Sequence, residues 1–168
     1  FQSGALLAWL TVAENVALPL RETTDLSDAE IDAKVDAALA AVELTSAAEK
    51  YPSEISGGMQ KRVAIARAIV LNPQYLFCDE PNSGLDPKTS LVIDELLHGI
   101  TEEYDITTII NTHDMNSVMG IGDNILFIYQ GKVEWRGDKT MVMSATDEHL
   151  NDLVFASELF KKVKEANL

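Results

Sequence analysis

Tyr75-Leu76-Phe77-Cys78-Asp79-Glu80-Pro81 decides the fold. A short continuous apolar run is the mark of a buried strand. This one ends in two adjacent carboxylates and is stopped by a proline. The surroundings agree with a strand. Residues 58–71 carry helical periodicity before it, and residues 88–103 carry it again after it. The β-branched stretch Ile106–Asn111 reads as a second strand, residues 114–121 as a short helix, and Ile125–Tyr129 as another buried strand. Strands alternating with helices predict a largely parallel α/β sheet. Gln130-Gly131-Lys132 is a tight turn into Val133–Arg136, so the sheet is expected to finish in an antiparallel hairpin. A last helix is predicted over residues 151–165.

The N-terminal third has a different character. Val12, Val16 and Leu20 lie at helical spacing, with Thr11 as a cap and Pro19 near the end. Residues 26–44 form an amphipathic helix. Ser27 is followed three residues later by Glu30, a capping-box pattern, and Ile31, Val35, Leu39 and Val42 mark one apolar face. Between Arg21 and Lys50 the acids Glu22, Asp25, Asp28, Glu30, Asp32, Asp36, Glu43 and Glu49 face only three bases, as a solvated helix surface does. This helical stretch ends near Tyr51-Pro52.

Over 168 residues, 27 acids against 13 bases give a net charge of −14, which argues against a nucleic-acid backbone as partner. The single cysteine, Cys78, allows no disulfide within the chain and points to a reducing, cytoplasmic setting. The longest apolar stretch, Ala5–Val12, is far short of a membrane span. Phe1-Gln2-Ser3-Gly4 lacks both an initiator methionine and a basic leader, so the sequence reads as a fragment or a trimmed chain.

Four stretches carry chemistry. Ligands of open parallel sheets bind off the carboxyl ends of strands. Asp79 is thus placed to hold a divalent cation, and Glu80 to polarise a water; a pair of acids in a strand-end loop is the plain alternative. Ile55-Ser56-Gly57-Gly58-Met59-Gln60 runs straight into a helix. Glycines allow close backbone approach and the helix start favours an anion; a glycine-rich capping turn explains the same residues. Asn111-Thr112-His113-Asp114 closes the second strand, which puts His113 on the same sheet edge as the acid pair, where an imidazole can bond a phosphate or serve structure alone. Asn82-Ser83-Gly84-Leu85-Asp86-Pro87 follows the acids directly, and Asp86 can cap the helix that Pro87 opens. His98 and His149 have no such context and read as surface residues.

Taken together, the order and spacing of these stretches resemble the nucleotide-binding subunit of ATP-binding cassette (ABC) transporters, from Gln2 to the C-terminal helix. The resemblance implies a partial P-loop NTPase, RecA-like α/β core with a parallel sheet, plus an α-helical subdomain. Residues 1–8 would be the Q-loop entry, 9–54 the helical subdomain, 55–137 the signature, Walker B, D-loop and H-loop part of the core, and 138–168 a C-terminal helical segment. Ser56-Gly57-Gly58 resembles the signature motif, followed by its helix Arg62-Val63-Ala64-Ile65-Ala66-Arg67-Ala68. Asp79 matches the Walker-B aspartate and Glu80 the catalytic glutamate. Ser83-Gly84-Leu85-Asp86 matches the D-loop, His113 the switch histidine, and Gln2 the glutamine that senses Mg²⁺ and water. Met59 and Ile55 depart from the usual Gln and Leu of the signature. No G-x-x-x-x-G-K-[ST] occurs in the chain, so that loop and the adenine-stacking aromatic are expected upstream of Phe1, and these residues alone are expected to bind ATP poorly.

The resemblance further implies an ATPase using ATP and Mg²⁺, peripheral on the cytoplasmic face of a bacterial inner membrane. Two subunits would sandwich two ATP molecules, the Ser56 loop of one completing the site of Asp79 and Glu80 in the other, with integral-membrane permease subunits and an MCE-type lipid-binding protein as further partners. Ala5–Leu10 would line the groove that receives the permease, or serve as core. The stretches Phe1–Leu7 and Leu10–Leu20, with the Ser56-Gly57-Gly58-Met59 form of the signature, resemble the Mla-type branch that moves phospholipids and maintains outer-membrane lipid asymmetry. An ATPase of an amino-acid type importer, or a soluble non-transport ABC ATPase, stays open as an alternative.

Overall fold

Capping chemistry and apolar periodicity set the helical part. In the computed structural model, which describes residues 4–155, α1 spans Val12–Thr23 and α2 Asp28–Ala41. Helix α1 opens on the reciprocal bonds of a capping box, Thr11 with Glu14, and at the start of α2 the Ser27 N–H and hydroxyl both donate to Glu30 Oε2. Helix α1 runs past Pro19, which the sequence places near the end. The Thr23 and Thr24 hydroxyls donate to the carbonyls of Pro19 and Leu20, both at 2.7 Å, and help close the last turn. Helix α2 stops three residues short of Leu44, while Ile31, Val35, Leu39 and Val42 are all buried as their spacing predicts.

Next come α3 (Gly57–Ile69), strand β1 (Tyr75–Asp79), α4 (Pro87–Glu103) and strand β2 (Thr107–Asn111). Strands β1 and β2 pair in parallel, Tyr75 opposite Thr107 through Asp79 opposite Asn111. These elements and α1–α2 make one compact unit, which ends at His113. Its core gathers Val16 and Leu20 of α1, Leu39 of α2, Val63 and Ile69 of α3, Leu76 of β1, and Ile93 and Leu97 of α4. Asn15 is a buried polar residue of this unit, as are Asn82 and Asp94, whose side chains bond at 2.8 Å. Asn15 Nδ2 donates to the carbonyls of Leu7 (3.1 Å), Leu10 (3.1 Å) and Thr11 (2.9 Å), and its Oδ1 accepts from the Leu7 N–H (2.8 Å), fixing the loop ahead of α1.

Strand β1 corrects the expectation of a strand buried throughout. Leu76 is buried, but Tyr75 is 59% and Phe77 71% exposed. With side chains alternating across the strand, α3 and α4 cover one face only. Cys78, on the covered face, packs against the core, and burial pushes its thiol up to about 11.

The second compact unit, which begins at Asp114, contains α5 (Met115–Ile121), β3 (Ile125–Tyr129), β4 (Lys132–Gly137), α6 (Lys139–Val142) and α7 (Glu148–Val154) among the described residues. The hairpin forms as expected, on Gln130 (φ 47°) and Gly131 (φ 76°), the left-handed pair a two-residue turn requires. It forms a two-stranded ladder of its own instead of extending the β1–β2 ladder. Strand β3 is not buried either: Leu126 and Ile128 are exposed, and only the other face meets the small core of Val142, Leu150 and Val154. His149 is not a bare surface residue. Its Nδ1 lies 2.9 Å from Glu134 Oε1 and its ring stacks on Tyr129 at 3.9 Å. The glutamate hydrogen bond, with Asp147 and Glu148 nearby, raises the imidazole pKa. Of the helix predicted over residues 151–165, the part beyond Phe155 lies outside the described residues, as does Gln2. Among the described residues no helix is long and apolar enough to cross a membrane.

Candidate functional site

Because β1 and β2 run in parallel and in register, they end together. The side chains just beyond them meet: His113 Nδ1 stands 2.7 Å from Glu80 Oε1, and the His113 N–H donates to the same oxygen at 3.1 Å. An ionised carboxylate only accepts, so Nδ1 is the donor there. The Thr112 hydroxyl reaches Glu80 Oε2 at 3.4 Å, and Asn111 Nδ2 donates to Asp79 Oδ1 at 2.8 Å. The acid pair and the imidazole thus share one sheet edge, as their positions at two strand ends suggest. Asn111 and Thr112 are the residues that sequence reasoning missed. Both stand in the stretch singled out for His113, but what they touch depends on the register of the ladder.

Glu80 adopts φ +47°, the left-handed region, which costs a residue bearing a Cβ about 1 kcal/mol or more. Two main-chain bonds hold it there. Its N–H donates to Asn111 O at 2.8 Å, and its carbonyl accepts from the Ser83 N–H at 3.1 Å. Lys61 Nζ reaches the same carbonyl at 3.3 Å; burial lowers the Lys61 pKa and the negative Glu80 opposes that shift. The result is a glutamate side chain only 16% exposed beside an imidazole 79% exposed. The arrangement can take a proton at Glu80 while presenting His113 to a solvent-side ligand.

The Ser56 turn is built from local chemistry. Ser56 caps α3, its hydroxyl accepting from the Met59 N–H at 3.3 Å. Gly57 is exposed, and a methyl there would meet Leu85 Cδ2 at an ordinary 3.8 Å. Gly58 is buried, and a methyl there would stand 2.6 Å from Thr89 Cγ2. The first glycine is therefore open to an outside ligand, whereas the second lets α3 and α4 approach. Asp86 accepts from Lys88 N and Thr89 N at 3.1 Å and from Thr89 Oγ1, which is the capping role its place before Pro87 predicts. These bonds to Thr89 and Lys88 hold its carboxyl below the usual range.

The carboxylates at the strand end supply hard oxygen donors, the set that suits a Mg²⁺-class cation rather than a soft metal. Fold and site together define an α/β unit whose acid pair and imidazole share the carboxyl edge of a parallel strand pair, where ligands of such sheets bind.

Comparison with known proteins carries this further. The ABC transporter family matches residues 1–83. The methionine import ATP-binding protein MetN 1 of Pseudomonas putida is 43% identical over 137 residues, which cover 82% of this chain and 41% of that protein. The probable ribonucleotide transport ATP-binding protein mkl of Mycobacterium tuberculosis is 38% identical over 147 residues, 88% of this chain and 41% of that one. The solved structure of the ATP-binding cassette MJ0796, dimeric in a post-hydrolysis state bound to ADP and Pi, superposes with a TM-score of 0.72 at 37% identity, covering 83% of this chain and 61% of that one. The chain is thus similar to ABC transporter ATP-binding proteins along most of its own length. It spans about two fifths of the length of these curated relatives.

Proposed function

We propose that these residues are the signature-to-switch part of an ATPase that couples ATP hydrolysis to membrane transport, working with a lysine-bearing phosphate loop supplied by sequence outside Phe1–Leu168. The single observation that supports it best is the meeting of Glu80 with His113 at 2.7 Å beside Asp79, at the carboxyl end of a parallel strand pair. In this reading Glu80 accepts the proton of the water that attacks the terminal phosphate. The His113 main-chain N–H and Thr112 hold that carboxylate, and the His113 ring lies exposed toward the phosphate. Asp79 and Gln2 would hold Mg²⁺, which when bound neutralises charge on the phosphate oxygens. Gly57 and Ser56, open to solvent at a helix start, would bind the phosphate held by a second subunit. Asp86 sits in the turn beside that seam. The dimeric MJ0796 cassette favours such a two-subunit arrangement, and helices α1 and α2 would serve as the lobe facing the permease.

For the cargo we favour phospholipid, on the resemblance of Phe1–Leu20 and of the Ser56–Met59 signature to the Mla-type branch, with an MCE-type partner and a place on the inner membrane. The MetN relatives favour a second reading, a small-solute importer. The proteins that co-purify with the assembled transporter discriminate between them: an MCE-type lipid-binding protein for the first, a solute-binding protein for the second. The hydrolysis reading is tested by Glu80→Gln in the full-length protein. Turnover is expected to fall by a factor of about 10² or more while ATP-bound dimers accumulate. Turnover at the unmodified rate removes Glu80 from the role.

A further inference from the structure

Asn111 does two things at once. Its carbonyl accepts the Glu80 N–H at 2.8 Å, and its side-chain Nδ2 donates to Asp79 Oδ1 at 2.8 Å. It can do both because Asp79 and Asn111 are direct partners at the last rung of the parallel ladder, so their side chains rise from the same face. The terminal torsion of an aspartate is broad, and an exposed strand-end carboxylate turns freely unless something holds it. A donor on one oxygen selects one orientation and leaves the other oxygen aimed away from the donor. The chemistry of the donor matters as well. A lysine or arginine in this position would neutralise the carboxylate and compete with a cation, whereas an amide orients it and leaves its full negative charge in place.

We propose that Asn111 is the positioning residue of the Asp79 carboxylate, holding one oxygen so that the other is presented to a hard divalent cation of the Mg²⁺ class. The inference rests on the reading of Asp79 as a cation-holding residue. Hydrogen-bond partners that orient metal-binding carboxylates typically contribute about 10–100-fold in metal affinity.

The test uses the full-length cassette loaded with ATP, with Mn²⁺ as the probe and electron paramagnetic resonance as the measure of free and bound metal. Asn111→Ala is expected to weaken Mn²⁺ binding about tenfold or more. ATP affinity in EDTA and the melting temperature are expected to stay at their original values, and the activity of the variant is expected to recover as Mg²⁺ is raised. Asn111→Leu, nearly isosteric and without a donor, gives the same comparison should the alanine variant fail to fold. If Asp79→Ala loses Mn²⁺ affinity while neither Asn111 variant does, the positioning inference falls and the reading of Asp79 stands. If Asp79→Ala itself keeps full Mn²⁺ affinity, both fall. A parallel loss of metal-free ATP affinity and melting temperature in the Asn111 variants shows a purely structural residue and overturns the inference.

Discussion

Gly57 and Gly58 look equivalent in the sequence but sit in opposite situations, and single alanine substitutions separate them. An alanine methyl at Gly58 stands 2.6 Å from Thr89 Cγ2, where ordinary contact begins at 3.4 Å. Something must retreat by roughly 0.8 Å, and in a packed interior such a retreat is resisted. Thr89 is a poor candidate to yield. It is stiff at χ1, its hydroxyl is tied to Asp86 Oδ2, and its N–H to Asp86 Oδ1 at 3.1 Å. Overpacking of this kind costs about 1–3 kcal/mol, offset by up to about 1 kcal/mol of helix propensity. Gly58→Ala is therefore expected to lose about 0.5–2 kcal/mol in urea unfolding followed by circular dichroism. Gly57→Ala, with only a 3.8 Å contact in its way, is expected to be neutral or stabilising by about 0.4–1 kcal/mol. Thr89→Ser keeps the hydroxyl bond and removes the offending methyl, so the double variant Gly58→Ala/Thr89→Ser should regain most of the loss. A coupling near zero in that double-mutant cycle, or equal stability of the two glycine variants, refutes the packing argument.

Two further outcomes follow from polar groups. Asn15→Ala leaves the Leu7 N–H and the Leu7 and Leu10 carbonyls without the amide that serves them, so the chain should lose about 2–4 kcal/mol by the same unfolding measurement, and a loss below 1 kcal/mol would show that water replaces the amide. The His149–Glu134 pair stabilises the protonated imidazole, which raises its pKa above the ordinary 6.5. Its contribution is therefore fully present below pH 6.5 and disappears as pH rises through the folded-state value. The stability difference between the unmodified protein and Glu134→Gln should follow that course, and a difference that grows toward alkaline pH contradicts the pairing.

Local signals were legible in the sequence. The caps of α1, α2 and α4 stand at Thr11, Ser27 and Asp86, each named by residue type and spacing, and Gln130-Gly131 announces its own turn. The meeting of Glu80 and His113 was legible too, because two successive strands of an α/β unit tend to be neighbours and to end at the same edge. What could not be read depends on partners distant in the sequence. The apolar run at β1 says that the strand is hydrophobic, but not that Tyr75 and Phe77 lie on the face the helices leave open. That position 58 has no room for a side chain depends on Thr89, which the sequence does not place against it. Asn111 reads as a strand-end polar residue until the register puts it opposite Asp79, and His149 as an isolated histidine until the chain folds back onto Glu134.

Cys78 gives the chain a built-in clock. It is the only thiol in 168 residues, it lies on the inner side of β1, and its pKa near 11 leaves almost no thiolate at neutral pH. Cys78 is half-buried, so an alkylating reagent can reach it in the folded chain, but the small thiolate fraction makes that reaction slow, and local opening of the strand adds to the rate. The labelling rate at this one atom, set against that of the unfolded chain, reports how well the fold shields the strand that carries the acid pair, with no engineered probe and no ambiguity about which residue reacted.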